Sequence, residues 1–391
     1  MRILHVIPGV AARYGGPSQV IFSMCRTLEG YGVAPLIATT DADGQHRLPV
    51  ELGRPIRYQG VPAIFFARQW HEGFKYSRHL AHWLQRNVSQ FDIVHIAAVF
   101  SHASLAAARA CQQHALPYIV RPLGTLAPWS LRQKRVRKRL LWSLAVKQML
   151  QQASAIHYTT LEERRQVEEA LGLRHGVVIP LGVDEDVLTS PVVSQRFRQH
   201  YPALGQHPYI LVLSRLHPTK RIDRLLHVFL DLVAQAEFQG WRLVVAGDGE
   251  DRYVHYLRQL IQERGGETSV LFTGWLDGPM KIAALREAAL LAQLSQQENF
   301  GLSVAEALAC GTPVLISTHV NLADEIRAAR AGWVVSLQYH AVRQTLEDIL
   351  RQENERTARG RAGQELIRSR FRWDNVAREL IQLYRMLTHQ S

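Results

Sequence analysis

The chain has 391 residues, 47% of them hydrophobic, with a formal net charge of +12 and an isoelectric point near 9.9. This length and hydrophobic content fit a globular protein of enzyme size with two cores, and no low-complexity tract interrupts the sequence. The charge predicts attraction to polyanions such as nucleic acid, anionic lipid or phosphorylated small molecules, without choosing among them.

The cysteines and the apolar segments bear on the compartment. Cys25, Cys111 and Cys310 are far apart in apolar surroundings, which predicts reduced thiols in a cytosolic protein and no zinc site. Pro8 and Gly9 interrupt the apolar start of the chain, which favours a buried first strand over a signal peptide. No uncharged apolar run reaches about 18 residues, so no transmembrane helix is predicted. We expect a cytoplasmic protein. A further hypothesis is that it binds peripherally to the inner face of a membrane.

Strands and helices alternate along both halves of the chain. In the first half, strands are predicted over 2–8, 33–40, 91–98 and 118–122, with helices over 17–32 and 104–115. In the second half, strands are predicted over 208–216, 241–247, 269–275, 288–295 and 314–317, with helices over 221–235, 252–265 and 300–310. This spacing is typical of parallel sheets wrapped by helices. It predicts two doubly wound α/β units that meet near residues 177–193 and bind ligands beyond the carboxyl ends of their strands.

Two glutamates bracket the start of the helix predicted over 300–310. Glu298 precedes that helix, and Glu306 lies about two turns inside it. The free backbone amides of Phe300, Gly301 and Leu302, between the two carboxylates, form an anion site suited to phosphate. A buried carboxylate without a partner costs several kcal/mol, so Glu306 among apolar residues needs a hydrogen-bonding partner, and ribose hydroxyls would supply one. The alternative is a glutamate on the solvent face with a partner nearby.

Two further motifs follow predicted strands. Arg215 at the end of strand 208–216 and Lys220 at the start of the next helix would converge on one anion, although basic loop residues are often only solvated. Gly15 and Gly16 open a helix after the first strand and could turn backbone amides toward a diphosphate. Paired glycines also make ordinary turns.

Together these motifs resemble the GT-B retaining glycosyltransferases of glycosyltransferase family 4 (glycosyl transferases group 1). The resemblance extends from GG at 15 and 16 through SRLHPTKRID, AGDGED, FTGW and ENFGLSVAEALACGTPVL to the C-terminal FRWDNVARELIQLYRML. It implies two Rossmann-like doubly wound domains facing a central cleft. The implied ranges are 1–185 for an acceptor-side domain, 186–371 for a nucleotide-sugar domain and 372–391 for a helix that crosses back to the first domain.

The resemblance also implies residue roles, with a nucleotide-diphosphate sugar as donor and no cofactor or metal. The implied catalytic residues are Glu298, which binds hydroxyls of the transferred sugar, and Arg215 and Lys220, which neutralise the leaving diphosphate. The implied substrate-binding residues are Glu306 at the ribose, Gly15, Gly16, Phe300, Gly301 and Leu302 at the diphosphate, and Trp275 and Leu276 at the base. The acidic pairs at 41–43 and 184–186 look like metal ligands, but the family does not use them.

The sequence departs from the family on the acceptor side. Many relatives place a histidine where this chain has Leu123. His102 or His95 would face the cleft instead, and His102 is our candidate acceptor-side residue. A lone histidine after a strand is more often a packed or capping residue.

Residues 130–149 bear on the acceptor. Six basic residues between 132 and 139 precede apolar ones. This pattern is typical of a helix that lies on anionic lipid. It is equally typical of a helix whose basic face is exposed to solvent and whose apolar face packs in the domain core. The first interpretation predicts a lipid-linked or phosphorylated acceptor at a membrane surface.

Two other functions have to be weighed. A nucleotide-sugar hydrolase or epimerase on the same fold would keep the donor site without an acceptor groove. A basic nucleic-acid-binding protein would explain the charge but not the glutamate pair, and no nucleic-acid module is recognisable, so no nucleic-acid partner is expected.

Overall fold

The computed structural model describes residues 1–70, 72–127, 131, 142–189, 195–276 and 278–389. The chain forms two compact units, the first comprising Met1–Gly182 and Trp373–Ser391 and the second Val183–Arg372. Each unit is a mainly parallel β-sheet wrapped by α-helices.

The first unit contains an eight-stranded sheet in the order β10-β9-β8-β7-β1-β2-β6-β5, parallel except for the β5–β6 pair. Its strands are β1 (Arg2–Val6), β2 (Ala34–Thr40), β5 (Pro55–Tyr58), β6 (Val61–Phe66), β7 (Ile93–Ala97), β8 (Tyr118–Arg121), β9 (Ala155–Tyr158) and β10 (Gly176–Val178), with β3 (Ala42–Asp43) and β4 (His46–Arg47) forming a separate antiparallel pair. Its helices are α1 (Gly16–Gly30), α2 (Arg78–Asn87), α3 (His102–Gln113), α4 (Lys147–Gln151, after the π-helical turn Trp142–Val146), α5 (Leu161–Leu171) and the C-terminal helix (Trp373–His389).

The second unit contains a six-stranded parallel sheet in the order β13-β12-β11-β14-β15-β16. Its strands are β11 (Tyr209–Leu213), β12 (Arg242–Ala246), β13 (Val270–Gly274), β14 (Leu290–Gln293), β15 (Val314–Ser317) and β16 (Gly332–Val335). Its helices are α6 (Glu185–Thr189), α7 (Arg196–His200), α8 (Ile222–Val233), α9 (Asp251–Glu263), α10 (Gly278–Glu287), α11 (Leu302–Ala309), α12 (Ala323–Ala329), α13 (Tyr339–Arg351) and α14 (Glu353–Arg370).

Each sheet has one position where the strand order reverses. In the first sheet the chain builds β2, β6 and β5 to one side of β1, and then β7 to β10 to the other, so the reversal lies between β1 and β7. In the second sheet it lies between β11 and β14. Ligands of open α/β sheets bind at the carboxyl ends of the strands at this position, because the connections diverge there and leave a crevice. The loops after β11 and β14 are therefore the ones that matter in the second unit.

The predicted fold class is confirmed, and most element bounds agree within a few residues. The apolar face of α8 is buried at Ile222, Leu225, Leu226, Phe229 and Leu232 and partly buried at Val233. The helix predicted over 300–310 is shorter than expected, since α11 begins at Leu302 and ends at Ala309. Gly301 adopts φ +82°, a left-handed conformation that cannot continue a helix toward its N-terminus.

The C-terminal helix packs against α1 within the first unit. Its Tyr384 is fully buried, and its hydroxyl lies 2.8 Å from Nδ1 of His95 on β7. At its start, Trp373 packs on Gly182, where an added Cβ would come within 2.3 Å of the indole. The last segment of the sequence is therefore part of the core of the first unit.

Candidate functional site

Backbone hydrogen bonds fasten the two loops at the reversal of the second sheet to each other and to the next strand. The amide of Gln296 donates to the carbonyl of Thr219 at 2.8 Å, which joins the loop after β14 to the loop after β11. The amide of Glu298 donates to His319 O at 3.0 Å, and the amide of Asn321 donates to Glu298 O at 3.0 Å. Both contacts tie the glutamate loop to the segment that follows β15. The backbone of these loops is therefore held in a fixed position.

The structure brings Lys220 and Glu298 together as an ion pair between Nζ and Oε2. The same Oε2 accepts a hydrogen bond of 2.6 Å from Nε2 of Gln293, the last residue of β14. The Oγ of Ser303 in turn donates to Oε1 of Gln293 at 2.8 Å. This network fixes the Glu298 carboxylate beside the lysine. Sequence reasoning did not single out Gln293, because a glutamine at the end of an apolar strand carries no signal of its own.

Arg215 is exposed, and its carbonyl accepts a hydrogen bond of 3.2 Å from Ser214 Oγ. Within the described part of the chain its guanidinium group makes no hydrogen bond or ion pair. A tight backbone contact fixes the loop that carries it. Gly247 after β12 adopts φ +141°, and a Cβ there would lie 1.8 Å from the carbonyl oxygen of Ser214. The neighbouring imidazole of His217 has a lowered pKa, first because of burial and next because of the charge on Arg215. The loop is thus an electropositive site with a guanidinium group open to a ligand.

The start of α11 offers backbone donors between the two glutamates. In the regions that the structure describes, no hydrogen bond is made by the amides of Phe300, Gly301 or Leu302. The Phe300 ring is buried against Phe371, with ring centroids 5.8 Å apart, so this corner is anchored by its side chain. A rigid helix start with free amides can bind an anion.

Glu306 is 6% exposed on α11, and its Oε1 lies 2.7 Å from Nζ of Lys281 on α10. Burial raises the pKa of Glu306, the Lys281 ammonium group lowers it, and the Asp184 carboxylate nearby raises it further. The solvent-face alternative is therefore wrong for Glu306, although a partner is present. Sequence reasoning missed Lys281. The only hint was the carboxylate itself, which required a cation from some other element.

The remaining predicted residues of the second unit follow β13. Trp275 is 47% exposed and Leu276 is 7% exposed, so the indole is open to a ligand while the leucine belongs to the core. Both come directly after Gly274, which has φ +73° and turns the chain out of the strand. Of this pair, only Trp275 offers a side chain for stacking.

In the first unit, Gly15 and Gly16 lie at the start of α1, and Gly15 is its N-cap with φ +74°. His102 is the first residue of α3, where its Nδ1 accepts a hydrogen bond of 3.3 Å from the Ser77 amide and burial lowers its pKa. His95 is 2% exposed, and its two ring nitrogens contact Tyr384 and His157. The idea that His95 reaches a substrate is therefore wrong, because its ring lies in the core of the sheet.

The basic residues at 132–139 lie outside the described residues, so the amphipathic-helix prediction stays a prediction. Within the described ranges, no helix is both long and apolar enough to cross a bilayer. Across those same ranges, no three His, Cys, Asp or Glu side chains come together as metal ligands. Asp41, from the first acidic pair, instead accepts a hydrogen bond of 2.7 Å from the amide of Arg68.

Comparisons with known proteins identify the family and the fold. The sequence model described as Glycosyltransferase Family 4 matches residues 14–187, and that described as Glycosyl transferases group 1 matches residues 193–366. The chain is 28% identical over 216 residues to a GDP-mannose-dependent alpha-(1-6)-phosphatidylinositol monomannoside mannosyltransferase of Mycobacterium tuberculosis, a match covering 53% of this chain and 55% of the relative. It is 26% identical over 268 residues to a D-inositol 3-phosphate glycosyltransferase of Jonesia denitrificans, covering 66% and 62%. The match thus spans little more than half the length of these curated relatives.

Two solved structures share the fold over almost the whole chain. A sucrose-phosphate synthase from Thermosynechococcus elongatus superposes with a TM-score of 0.80 at 19% identity, covering 100% of both chains. Anabaena Alr3699/HepE in complex with UDP and glucose superposes with a TM-score of 0.78 at 18% identity, covering 99% of this chain and 100% of the other. With its two halves matched in order by the two family models, this chain belongs to the GT-B glycosyltransferases of the family 4 type.

Proposed function

We propose that this protein transfers a sugar from a nucleotide-diphosphate sugar to a hydroxyl group of an acceptor, with retention of anomeric configuration and without a metal ion. One observation carries this proposal. The reversal of the second sheet gathers the exposed Arg215, the Lys220–Glu298 pair, free amides at the start of α11 and the buried Glu306. Cations and amides suit two phosphates, and carboxylates suit sugar hydroxyls. A nucleotide-diphosphate sugar offers both kinds of group in one molecule.

The cationic half of the site matches the chemistry of the leaving group. When the bond between the sugar and the phosphate breaks, negative charge builds up on the diphosphate. The guanidinium of Arg215, the ammonium of Lys220 and the α11 amides would stabilise that charge because they are already in place before reaction. Gly15 and Gly16 of the first unit are proposed as further diphosphate contacts.

The acidic half would orient the donor. Glu298 would accept hydrogen bonds from hydroxyls of the transferred sugar while Lys220 and Gln293 hold its other oxygen. Glu306 would accept hydrogen bonds from the ribose, and Trp275 and Leu276 would lie at the base. Within the second unit, donor binding would thus use residues that follow three strands of one sheet.

Retention would follow from attack on the same face as the leaving group. The acceptor oxygen would form its bond to the anomeric carbon as the bond to the diphosphate breaks, and the leaving phosphate oxygen would take the acceptor's proton. His102 is the proposed acceptor-side residue, since it is only half-buried.

The test is thermal shift of the purified protein with UDP, GDP and ADP and their sugars. A ligand at a hundred times its dissociation constant adds about 2.7 kcal/mol to the free energy of unfolding. We expect a shift with one nucleotide, and we expect Glu306→Ala or Lys220→Ala to weaken donor binding and turnover by about 10-fold or more. Glu263→Ala, on the exposed face of α9, is the matched control. Near-normal activity in both site variants would refute the site.

The acceptor is proposed to be a lipid-linked or other glycoconjugate precursor, bound by a cytoplasmic enzyme at an anionic membrane surface through residues 130–149. The mycobacterial relative is a phosphatidylinositol monomannoside mannosyltransferase, which supports a lipid acceptor. Flotation with anionic vesicles at low salt tests the membrane part, and failure to float would contradict it. Product analysis without acceptor separates transfer from hydrolysis or epimerisation of the donor.

A further inference from the structure

Buried Glu306 forms an ion pair with Lys281, a residue to which the predicted site assigns no role. Lys281 is on α10, 25 positions before Glu306, and its side chain is 17% exposed. Its Nζ contacts only one carboxylate oxygen, Oε1, at 2.7 Å. Among the described residues, no group donates a hydrogen bond to Oε2 of Glu306. The carboxylate therefore has one oxygen held by the protein and one left for a ligand.

The surroundings of Glu306 make its charge depend on Lys281. Burial opposes the ionised form, and Asp184 before α6 adds like-charge repulsion. Arg286 is also on α10, but it donates to the Val187 carbonyl at 3.1 Å and interacts with the Cys310 thiol. Of these groups, Lys281 is the one that donates directly to the Glu306 carboxylate.

We propose that Lys281 is a positioning residue of the donor site, holding Glu306 as a carboxylate through Oε1 so that Oε2 accepts hydrogen bonds from a ribose diol. This inference rests on the proposed function, in which Glu306 is the ribose contact. An ionised carboxylate accepts both diol hydrogens, and such charge-assisted bonds are about twice as strong as neutral ones. A protonated carboxyl group carries an O–H that must itself donate a hydrogen bond. It therefore accepts fewer hydrogen bonds than a carboxylate and binds a diol less well.

The experiment compares Lys281→Met with Lys281→Arg and the wild type by titration calorimetry from pH 6 to pH 9. The probes are UDP, GDP and ADP and their 2′-deoxy and 3′-deoxy counterparts. At pH 7, Lys281→Met should lower the affinity for the nucleotide that binds by about 10-fold, or about 1.4 kcal/mol. Affinity should recover as the pH is raised, because Glu306 then loses its proton without help from Lys281. Lys281→Arg should stay within about 3-fold because it keeps the charge.

The deoxy nucleotides separate a ribose effect from a general one. In the wild type, removing one hydroxyl should cost about 10-fold, whereas in Lys281→Met at pH 7 the ribo and deoxy forms should bind almost equally. Arg361→Met, which removes an exposed positive charge on α14, is the matched control and should change nothing. If Lys281→Met folds poorly, the double variant with Glu306→Gln removes both charges together, and it should bind no more than about 3-fold more weakly than Glu306→Gln alone.

The outcomes distinguish the two proposals. An unchanged affinity and pH profile in Lys281→Met would overturn the role of Lys281 and leave the donor site standing. Equal losses for ribo and deoxy nucleotides at every pH would also overturn it, since Lys281 would then be acting on the phosphates or on the fold. If no nucleotide binds the wild type, the donor site fails as well.

Discussion

Acidification should destabilise the first unit because three histidines lie buried near one another in its sheet. His5 on β1, His95 on β7 and His157 on β9 are each at most 2% exposed. Burial, and next the charge of Arg121, lowers the pKa of His5 and of His157 from 6.5 to about 3. The pKa of His95 is lowered too, first by burial. These rings stay neutral in the folded unit while the unfolded chain takes up protons below pH 6.5.

The size of the effect follows from linkage between protonation and folding. For a histidine with a pKa of 6.5 unfolded and about 3 folded, stability is complete above pH 7 and is lost as the pH falls toward 3. At pH 5 the loss is about 2 kcal/mol per histidine, so His5 and His157 together cost about 4 kcal/mol, and His95 adds to this. A domain is typically stable by about 5–15 kcal/mol, so the loss is a large fraction of the total.

His5 gives the sharpest assay because neither of its buried ring nitrogens has a partner in the described chain. We expect His5→Leu to reduce the loss of unfolding free energy between pH 7.5 and pH 5 by about 2 kcal/mol, measured by urea unfolding and by hydrogen exchange of β1 and β7. His79→Leu, at an exposed position on α2, should leave the pH dependence unchanged. Equal pH slopes for the wild type and His5→Leu would refute the reasoning.

Two further predictions concern packing. Gly247→Ala should destabilise the second unit by more than about 2 kcal/mol and lower donor affinity, since the new Cβ would lie 1.8 Å from Ser214 O. Gly265→Ala, where there is open space and φ is +62°, should cost only about 1 kcal/mol. Equal melting temperatures for the Gly247→Ala and Gly265→Ala variants would contradict this prediction. Tyr384→Phe should cost about 1–3 kcal/mol, because it leaves the Nδ1 of buried His95 without its 2.8 Å partner, and an unchanged urea midpoint would contradict that.

Local sequence patterns predicted the fold class and the central strands of both sheets. Apolar runs bounded by glycine and proline gave the strands, and one-face spacing gave α8, because both patterns depend on neighbours within a few residues. The motif residues after β11 and β14 could also be placed, since the strand order brings the carboxyl ends of those adjacent strands together.

Long-range partners could not be predicted in the same way. Lys281 reaches Glu306 because α10 packs beside α11, and nothing in the spacing of the sequence specifies that contact. The buried histidines show the same limit. Each reads as a lone polar residue in an apolar strand, yet His5 and His95 are register partners across β1 and β7. Register is a property of the assembled sheet.

The position of the C-terminal helix has a consequence for biosynthesis. The first unit needs Trp373–His389, which is translated after the whole of the second unit, whereas the second unit is one continuous stretch, Val183–Arg372. Translation can therefore deliver a complete second unit while the sheet made first still lacks the helix that buries Tyr384 beside His95. A nascent chain halted just before residue 373 would expose the surface that the C-terminal helix covers. The first unit, although its sheet is translated first, would therefore finish folding after the second.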